Sequence, residues 1–371
     1  MPVKTALFHM TKNGAYPKDL LISPSAVYNF KLDGTPISAE RYGCGHINET
    51  YLVVTSTSKR YILQRISDAF DVNILMDNIS AVTKFTAEHS ADKRSAMSLV
   101  YTKDNKSYYS DKTGNYRVYD FVEGTICLQS AQSEDDFYEC AVAFGSFQKM
   151  LSEFDATTLG EPIKNFHNTI DRYRLLKEAL KKDSFGRAKL VKEEVEFALS
   201  HEADGTILQN MRENGELPTR VTHNDTKLNN VLLDEKTHKA LCVIDLDTVM
   251  PGLAAYDFGD SIRFGAATAA EDEKDLSKMT IDLNLYRTFV KGFLESCDLT
   301  GKEIEMLPYG AKIMTLECGI RFLTDYLNGD IYFATHYDGQ NLDRCRTQFK
   351  LVSEMEKNFD EMKRIVAGQI A

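Results

Sequence analysis

Residues 221–248 constrain this chain more than any other stretch. They read Val-Thr-His-Asn-Asp-Thr-Lys-Leu-Asn-Asn-Val-Leu-Leu-Asp, then a short polar segment, then Leu-Cys-Val-Ile-Asp-Leu-Asp-Thr. His223, Asp225 and Asn230 stand in His-x-Asp-x-x-x-x-Asn order, and the apolar run that follows ends in Asp245 and Asp247. A fold built on this stretch must hold a loop carboxylate near a carboxylate delivered by the end of a strand. Phosphoryl transfer uses that pairing, with one group orienting a hydroxyl and others holding a metal ion on the phosphates.

The 371 residues are enough for two lobes with sizeable cores. A 43% hydrophobic and 27% charged composition is that of an ordinary globular protein. The net charge of -11 argues against general nucleic-acid affinity, because phosphate binding needs clustered Lys and Arg. The acidity fits either a cationic substrate or plain solubility. Seven cysteines without a Cys-x-x-Cys spacing fit reduced thiols in a cytosol and no zinc site. The N-terminal Met-Pro-Val-Lys-Thr-Ala-Leu-Phe-His-Met has no signal-peptide pattern. No stretch reaches the roughly 20 apolar residues of a membrane span. These features predict a cytoplasmic protein with no membrane or nucleic-acid partner and, without a heptad seam, a monomer.

The first 120 or so residues look strand-rich. Residues 50–56 and 60–66 are β-branched and aromatic runs joined by a short polar turn, which predicts a hairpin. Residues 74–85 carry a helical apolar stripe, and 107–110 and 116–122 read as strands. Beyond Gly124 the pattern turns helical: Phe137, Ala141, Phe144, Phe147 and Leu151 step by three or four. Helices are also expected at 170–182, 187–200, 282–296, 306–328 and 341–366, interrupted by short strands at 230–234 and 240–245. The predicted class is α+β, with a small β-rich lobe over residues 1–122, a hinge near 119–124, and a larger helical lobe over 123–371. Active sites favour the cleft between such lobes.

Asp225 is the candidate general base, able to orient a hydroxyl and take its proton as it attacks a phosphoryl group. Asn230 offers an amide oxygen suited to Mg²⁺. Lys227 either steadies the γ-phosphate as a point charge or is simply solvated. His223 is expected to anchor the loop rather than to act as an acid or base. Asp245, at a strand end, is placed to hold Mg²⁺. Asp247 points the same way if the extended backbone continues, and would then bind metal or substrate or tie the loop. A literal Asp-Phe-Gly at Asp257–Gly259 resembles the protein-kinase metal motif, but it lies much farther from Asn230 and no strand delivers it. Asp257 and Asp260 are better read as an N-cap or as supports of the loop.

Upstream, Tyr42-Gly43-Cys44-Gly45-His46-Ile47-Asn48 leads into the first clear strand. Glycines let backbone approach phosphates closely, so Gly43, Gly45 and Asn48 are candidate nucleotide contacts. His46 sits at the tip, within reach of a substrate. Tyr119 and Phe121 are the expected nucleotide contacts of the hinge. Kinases of this shape carry a Lys on the strand after the flap, and here that position is Gln64. The neighbouring Arg65 would point to the other face.

These residues resemble the aminoglycoside phosphotransferase and choline kinase group, which shares the protein-kinase-like fold, over roughly residues 40–265. Longer segments resemble the N-acetylhexosamine 1-kinases within it. Among them are Tyr-Gly-x-Gly-His-Ile-Asn, Val-Thr-His-Asn-Asp-Thr-Lys-Leu-Asn-Asn and Ile-Asp-Leu-Asp-Thr-x-Met-Pro-Gly. Farther on come Glu-Cys-Gly-x-Arg-Phe-Leu-x-Asp-Tyr-Leu at 317–327 and Gly-Asp-Ile-Tyr-Phe-Ala-Thr at 329–335. The resemblance implies ATP- and Mg²⁺-dependent phosphorylation of the anomeric hydroxyl of N-acetylglucosamine or N-acetylgalactosamine. It implies that Asp225 and Asp245 act at the sugar and that His46, Arg321 and Tyr332 contact it. Gln64 looks like a property of that group. Read without the resemblance, Arg321 pairs with Asp325 one turn on, and Tyr332 stacks on a sugar or fills core. The same fold also suits an aminoglycoside, choline or homoserine acceptor, and the missing Lys suits a non-catalytic nucleotide or sugar binder.

Overall fold

A computed structural model describes residues 6–7, 24–43 and 47–369. It has a β-sheet N-terminal region and a helical C-terminal region, a mixed α+β fold. Two compact units divide the chain, Met1–Thr125 with Leu159–Ile163, and Ile126–Thr158 with Lys164–Ala371.

The first unit runs β1 (Ala6–Leu7), α1 (Pro24–Tyr28), β2 (Pro36–Arg41), β3 (Glu49–Thr55), β4 (Arg60–Ile66), α2 (Val72–His89), β5 (Leu99–Val100), β6 (Tyr109–Asp111) and β7 (Gly114–Asp120). Its strands form one antiparallel sheet in the order β1-β2-β3-β4-β7-β5, with β6 on β7. The predicted hairpin is β3–β4, with Thr50 opposite Gln64. Alternation buries Tyr51, Val53, Tyr61, Leu63, Tyr116 and Val118 on one face with Ala26, Val27 and Phe30. Gln64 and Arg117, directly opposite each other on β4 and β7, take the other face. α2 starts earlier than its apolar stripe because the Asp71 carboxylate caps it, accepting from the N–H groups of Asn73 and Ile74. Asn78, buried on α2, uses its carboxamide as a β-bridge would: it donates to the Gly160 carbonyl and accepts from the Gly160 N–H, both at 2.9 Å.

β8 (Thr125–Cys127) leads into the second unit. There follow α3 (Glu134–Met150), α4 (Thr169–Lys182), α5 (Lys192–Ser200), α6 (Glu202–Gly205), α7 (Ile207–Glu213), β9 (Arg220–Thr222), β10 (Val231–Asp234), β11 (Ala240–Val243), β12 (Met250–Gly252), α8 (Ala254–Gly265), α9 (Leu283–Ser296), α10 (Gly301–Leu327), α11 (Gln340–Lys357) and α12 (Phe359–Ala367). Three expected helices have clearly different bounds. The one expected over 187–200 begins at Lys192, after a separate 3₁₀ turn over Ala188–Leu190. α10 begins five residues ahead of the expected 306 because Thr300 and Glu303 form a reciprocal capping box, with Pro308 accommodated inside the helix. The stretch 341–366 is two helices, broken at Asn358, whose side chain donates to the Glu354 carbonyl. β9 and β12 pair antiparallel and bracket the motif region; three-residue strands carry too little pattern to be read from sequence.

α10 is the central helix, burying Ile313, Leu316, Ile320, Leu323 and Leu327. α8 crosses it at van der Waals limit: a Cβ on Gly259 would lie 2.3 Å from the Gly310 carbonyl oxygen, and one on Gly310 would lie 2.3 Å from that of Ala255. No helix among the described residues is long and apolar enough to cross a membrane, and no disulfide joins the described cysteines. Gly259→Ala is expected to lower unfolding stability by roughly 1–3 kcal/mol, because backbone rather than a flexible side chain must yield. Denaturant titration measures it, and an unchanged midpoint would contradict the crossing.

Candidate active site

The motif loop leaves β9 at Thr222 and enters β10 at Val231, with a 3₁₀ turn over Leu228–Asn230. Its geometry is imposed from α8. The buried Asp257 carboxylate accepts from the backbone N–H of His223 at 2.9 Å and of Asn224 at 2.8 Å, and from the Gln148 amide of α3 at 2.6 Å. Burial pushes the Asp257 carboxyl above its usual range, while His223 and the two N–H groups pull the other way. Asp260, one turn on, accepts from the Thr226 N–H at 3.0 Å and pairs with Arg263 at 2.8 Å. Burial raises the Asp260 carboxyl, but Arg263 and Lys227 outweigh it and leave it below the ordinary value. Both aspartates therefore support the loop; neither is the N-cap of α8, a position that Leu253 holds.

His223 is fully buried against the edges of Phe144 and Phe147. Its Nε2 donates to the Ile244 carbonyl at 2.9 Å, which leaves Nδ1 to accept from the Asp225 N–H at 3.3 Å. That is the anchoring role expected of it. It ties the loop to the end of β11, and the Ile244 N–H adds a second tie to the Asn230 carbonyl at 2.9 Å.

Asp225 keeps 28% of its side chain exposed. Lys227 Nζ lies 2.5 Å from Oδ1, and Asn230 Nδ2 donates to Oδ2 at 3.0 Å and to the Asp225 carbonyl at 2.8 Å. With its amide nitrogen facing Asp225, Asn230 has its oxygen left as the atom suited to a hard cation. Burial lowers the Lys227 ammonium, yet Asp225 and Asp260 together hold it above the usual lysine value, so it stays charged. Asp245 follows directly in the left-handed region, φ 63° and ψ 60°. A non-glycine residue there costs about 1–3 kcal/mol and persists only where its surroundings enforce it. The extended backbone does not continue to Asp247: β11 ends at Val243, a 3₁₀ turn runs over Leu246–Thr248, and Asp247 is buried. The condition on which Asp247 would share the direction of Asp245 is therefore not met.

A second cluster lies on α10. Glu317 is buried, accepting from His167 Nδ1 at 2.8 Å and from the Thr169 hydroxyl at 2.7 Å. Burial raises Glu317, but His167 and Arg172 bring it below its ordinary 4.5. Arg321 does not pair with Asp325. Its guanidinium faces the rings of Phe166, Phe333 and Tyr332 at 5.0, 5.4 and 5.9 Å. Tyr332 is 63% exposed and is not core. His167, beside Glu317, and Lys227 of the motif loop are both among the neighbours that lower Asp260, so the α10 cluster adjoins the motif loop. His167 and Thr169 have no local signal in sequence; they reach the helix of Arg321 through their contacts with Glu317.

In the first unit, Gly43 is exposed with φ 73°, and a Cβ there would meet nothing within 4 Å. Gly45 and His46 lie outside the described residues. Asn48 is buried and accepts from the Ser67 N–H at 2.9 Å. Tyr119 is buried in β7, and Phe121 lies under the Arg60 guanidinium and edge-on to Tyr42. Arg65 turns away, as alternation requires, donating to the Thr113 carbonyl. Gln64 donates to Thr50 and accepts from Arg117 Nε at 2.9 Å. A buried cation thus stands beside Gln64 from the neighbouring strand, a pairing that only the β4–β7 register reveals.

Two outcomes follow from these contacts. Asp257→Ala strips the acceptor from two buried N–H groups and is expected to cost about 2–4 kcal/mol of unfolding stability together with turnover. Denaturation and rate measurements on one preparation check it, and a variant with wild-type stability would contradict the clamp. Because the folded Glu317 value lies below 4.5, its stabilisation is complete above 4.5 and is lost as pH falls through the folded value. The stability gap between wild type and Glu317→Gln should therefore be constant at neutral pH and narrow on acidification. A gap that stays constant to low pH would contradict it.

Residues 38–280 match the model of the APH phosphotransferase enzyme family. Among solved structures, an aminoglycoside phosphotransferase from Alicyclobacillus acidocaldarius superposes with a TM-score of 0.63 at 15% identity, covering 97% of this chain and 100% of that one. A microcompartment-associated aminopropanol kinase gives 0.59 at 15% identity, covering 91% and 97%. An amicoumacin kinase, described in complex with AMP-PNP and Ca²⁺, gives 0.55 at 12% identity, covering 85% and 87%. At these identities the structures share the fold, and the family match spans well over half of the sequence. The chain belongs to the phosphotransferase enzyme family of aminoglycoside phosphotransferase and choline kinase-like proteins.

Proposed function

We propose that this protein transfers the γ-phosphoryl group of ATP to the anomeric hydroxyl of an N-acetylhexosamine, giving the α-1-phosphate. The observation that carries the transfer is the Asp225 carboxylate, partly open to solvent and gripped by Lys227 and Asn230. A hydroxyl within hydrogen-bond reach of that carboxylate is oriented and loses its proton there. Lys227 sets a positive charge against the carboxylate. Asn230 Oδ1 and the Asp245 carboxylate are hard oxygen donors of the kind Mg²⁺ takes, and the amicoumacin kinase of the same fold is described with Ca²⁺ and a nucleotide analogue. When bound, Mg²⁺ neutralises charge on the phosphate oxygens. Gly43, Gly45, Asn48, Tyr119 and Phe121 are the nucleotide contacts in this reading, with His46, Asp245, Arg321 and Tyr332 those of the sugar.

The acceptor assignment rests on the α10 cluster. A neutral sugar needs hydrogen-bond donors and an aromatic surface, whereas a polyamine needs a wall of open carboxylates. Arg321 supplies donors, Tyr332 supplies an exposed ring, and the two carboxylates of that helix face are both engaged. Support for the particular sugar comes from the resemblance over residues 43–48 and 317–335.

Phosphorus NMR of the product from ATP and N-acetylglucosamine or N-acetylgalactosamine tests this, with an anomeric phosphate expected. No turnover of either sugar alongside turnover of choline, homoserine or an aminoglycoside would overturn the acceptor. Asp225→Asn is expected to reduce kcat by about 10²–10⁴ with the fold intact. Near-wild-type turnover in that variant would remove Asp225 as the base.

A further inference from the structure

Glu317, Arg321 and Asp325 follow one another at four-residue spacing and share one face of α10. On a solvated helix the arginine would pair with a carboxylate on either side. Here it pairs with neither, since Glu317 is turned to His167 and Thr169. Asp325 is buried and faces the chain that follows the helix. Its Oδ1 accepts from the N–H groups of Ile331 at 3.1 Å and Tyr332 at 2.9 Å, and its Oδ2 from that of Phe333 at 3.0 Å. Asn341 of α11 donates to Oδ2 as well, at 2.9 Å, and also to Asp330 Oδ1 at 2.9 Å.

The turn that makes this convergence possible has two consecutive left-handed residues, Gly329 at φ 94° and Asp330 at φ 59°. Asp330 is held by Arg187, whose NH1 lies 2.6 Å from Oδ2 and donates to the Tyr326 carbonyl at 2.6 Å. The outcome is unusual for a surface segment. Ile331 and Tyr332 expose 79% and 63% of their surface, yet the backbone beneath them is fixed by one buried carboxylate. The rings of Tyr332 and Phe333 are thereby held about Arg321, whose guanidinium makes no hydrogen bond or ion pair with any described residue.

We propose that Asp325 is a positioning residue for the acceptor: by fixing the backbone of residues 331–333, it sets the aromatic walls around Arg321 and leaves that guanidinium free to donate to the acceptor. The proposal rests on the sugar-kinase reading above for the identity of the acceptor. Its physical content is selectivity. A residue that shapes the acceptor subsite changes the acceptor KM and leaves the nucleotide KM alone, whereas general loosening of the second unit moves both.

The test is steady-state kinetics on Asp325→Asn with MgATP and an N-acetylhexosamine, together with amide hydrogen exchange. The carboxamide keeps one acceptor oxygen and turns a donor toward backbone N–H groups. The acceptor KM is expected to rise by about tenfold or more, the scale of a hydrogen bond to a charged group, with the ATP KM within about twofold of wild type. Exchange at the amides of 331–333 should speed up. Arg187→Ala removes the outer ties to Asp330 and to the Tyr326 carbonyl while leaving Asp325 in place, and is expected to give a smaller rise with the same selectivity. Should Asp325→Asn not fold, Arg187→Ala decides the question. An unchanged acceptor KM in the folded variant, equal rises in both KM values, or unchanged exchange at 331–333 would overturn the proposal. If the wild type phosphorylates no N-acetylhexosamine, the function reading falls alone. The positioning role is then read from the exchange rates and from KM on whichever acceptor of the panel is turned over.

Discussion

The contact on which the site depends is the Asp257 carboxylate beneath the motif loop. Two backbone N–H groups at the start of the loop have no other acceptor of comparable quality, and both meet this one side chain. It presents them in a conformation that includes Asn224 at φ 65°, a region asparagine tolerates better than most residues. The helix that supplies Asp257 is itself immobilised, because two glycines let α8 and α10 touch backbone to backbone. Gln148 brings α3 to the same carboxylate. The position of Asp225 is therefore set by the packing of three helices rather than by the loop's own sequence.

That arrangement explains why the chemistry was easier to read than its setting. The spacing of His223, Asp225, Asn230 and Asp245 is local and dense; Asn230 bonds Asp225, and both His223 and Asn230 bond Ile244, the residue before Asp245. Period-two alternation exposed the β3–β4 hairpin and period-3.6 stripes exposed the long helices. Three kinds of information lay outside the apolar periodicity. Capping moved a boundary, as Thr300 and Glu303 did for α10. A turn redirected a side chain, as the left-handed Asp245 and the 3₁₀ turn after it did for Asp247. Tertiary pairing joined residues far apart in the chain: Gln64 with Arg117, and Glu317 with His167.

Charge placement on α10 shows the limit of pattern rules most clearly. The spacing of Arg321 and Asp325 is that of a helical ion pair, and on sequence alone that is the economical reading. It fails because Asp325 is buried next to a chain reversal that presents several backbone N–H groups, and a buried carboxylate takes the largest set of donors within reach. Burial, which the spacing rule ignores, decides the partner.

Asn230 has a consequence beyond holding Asp225. Its carboxamide is a rigid plane with a donor at one end of the fork and an acceptor at the other. The donor end is fixed on Asp225, so the orientation of the oxygen follows from that contact and is not chosen independently. An aspartate of the same size would turn a second negative edge toward Asp225. A glutamine would carry the plane out by one methylene. The amide thus acts as a polarity gauge, reading a carboxylate on one side and offering an oxygen on the other, so that any tilt of the Asp225 carboxylate turns that oxygen with it.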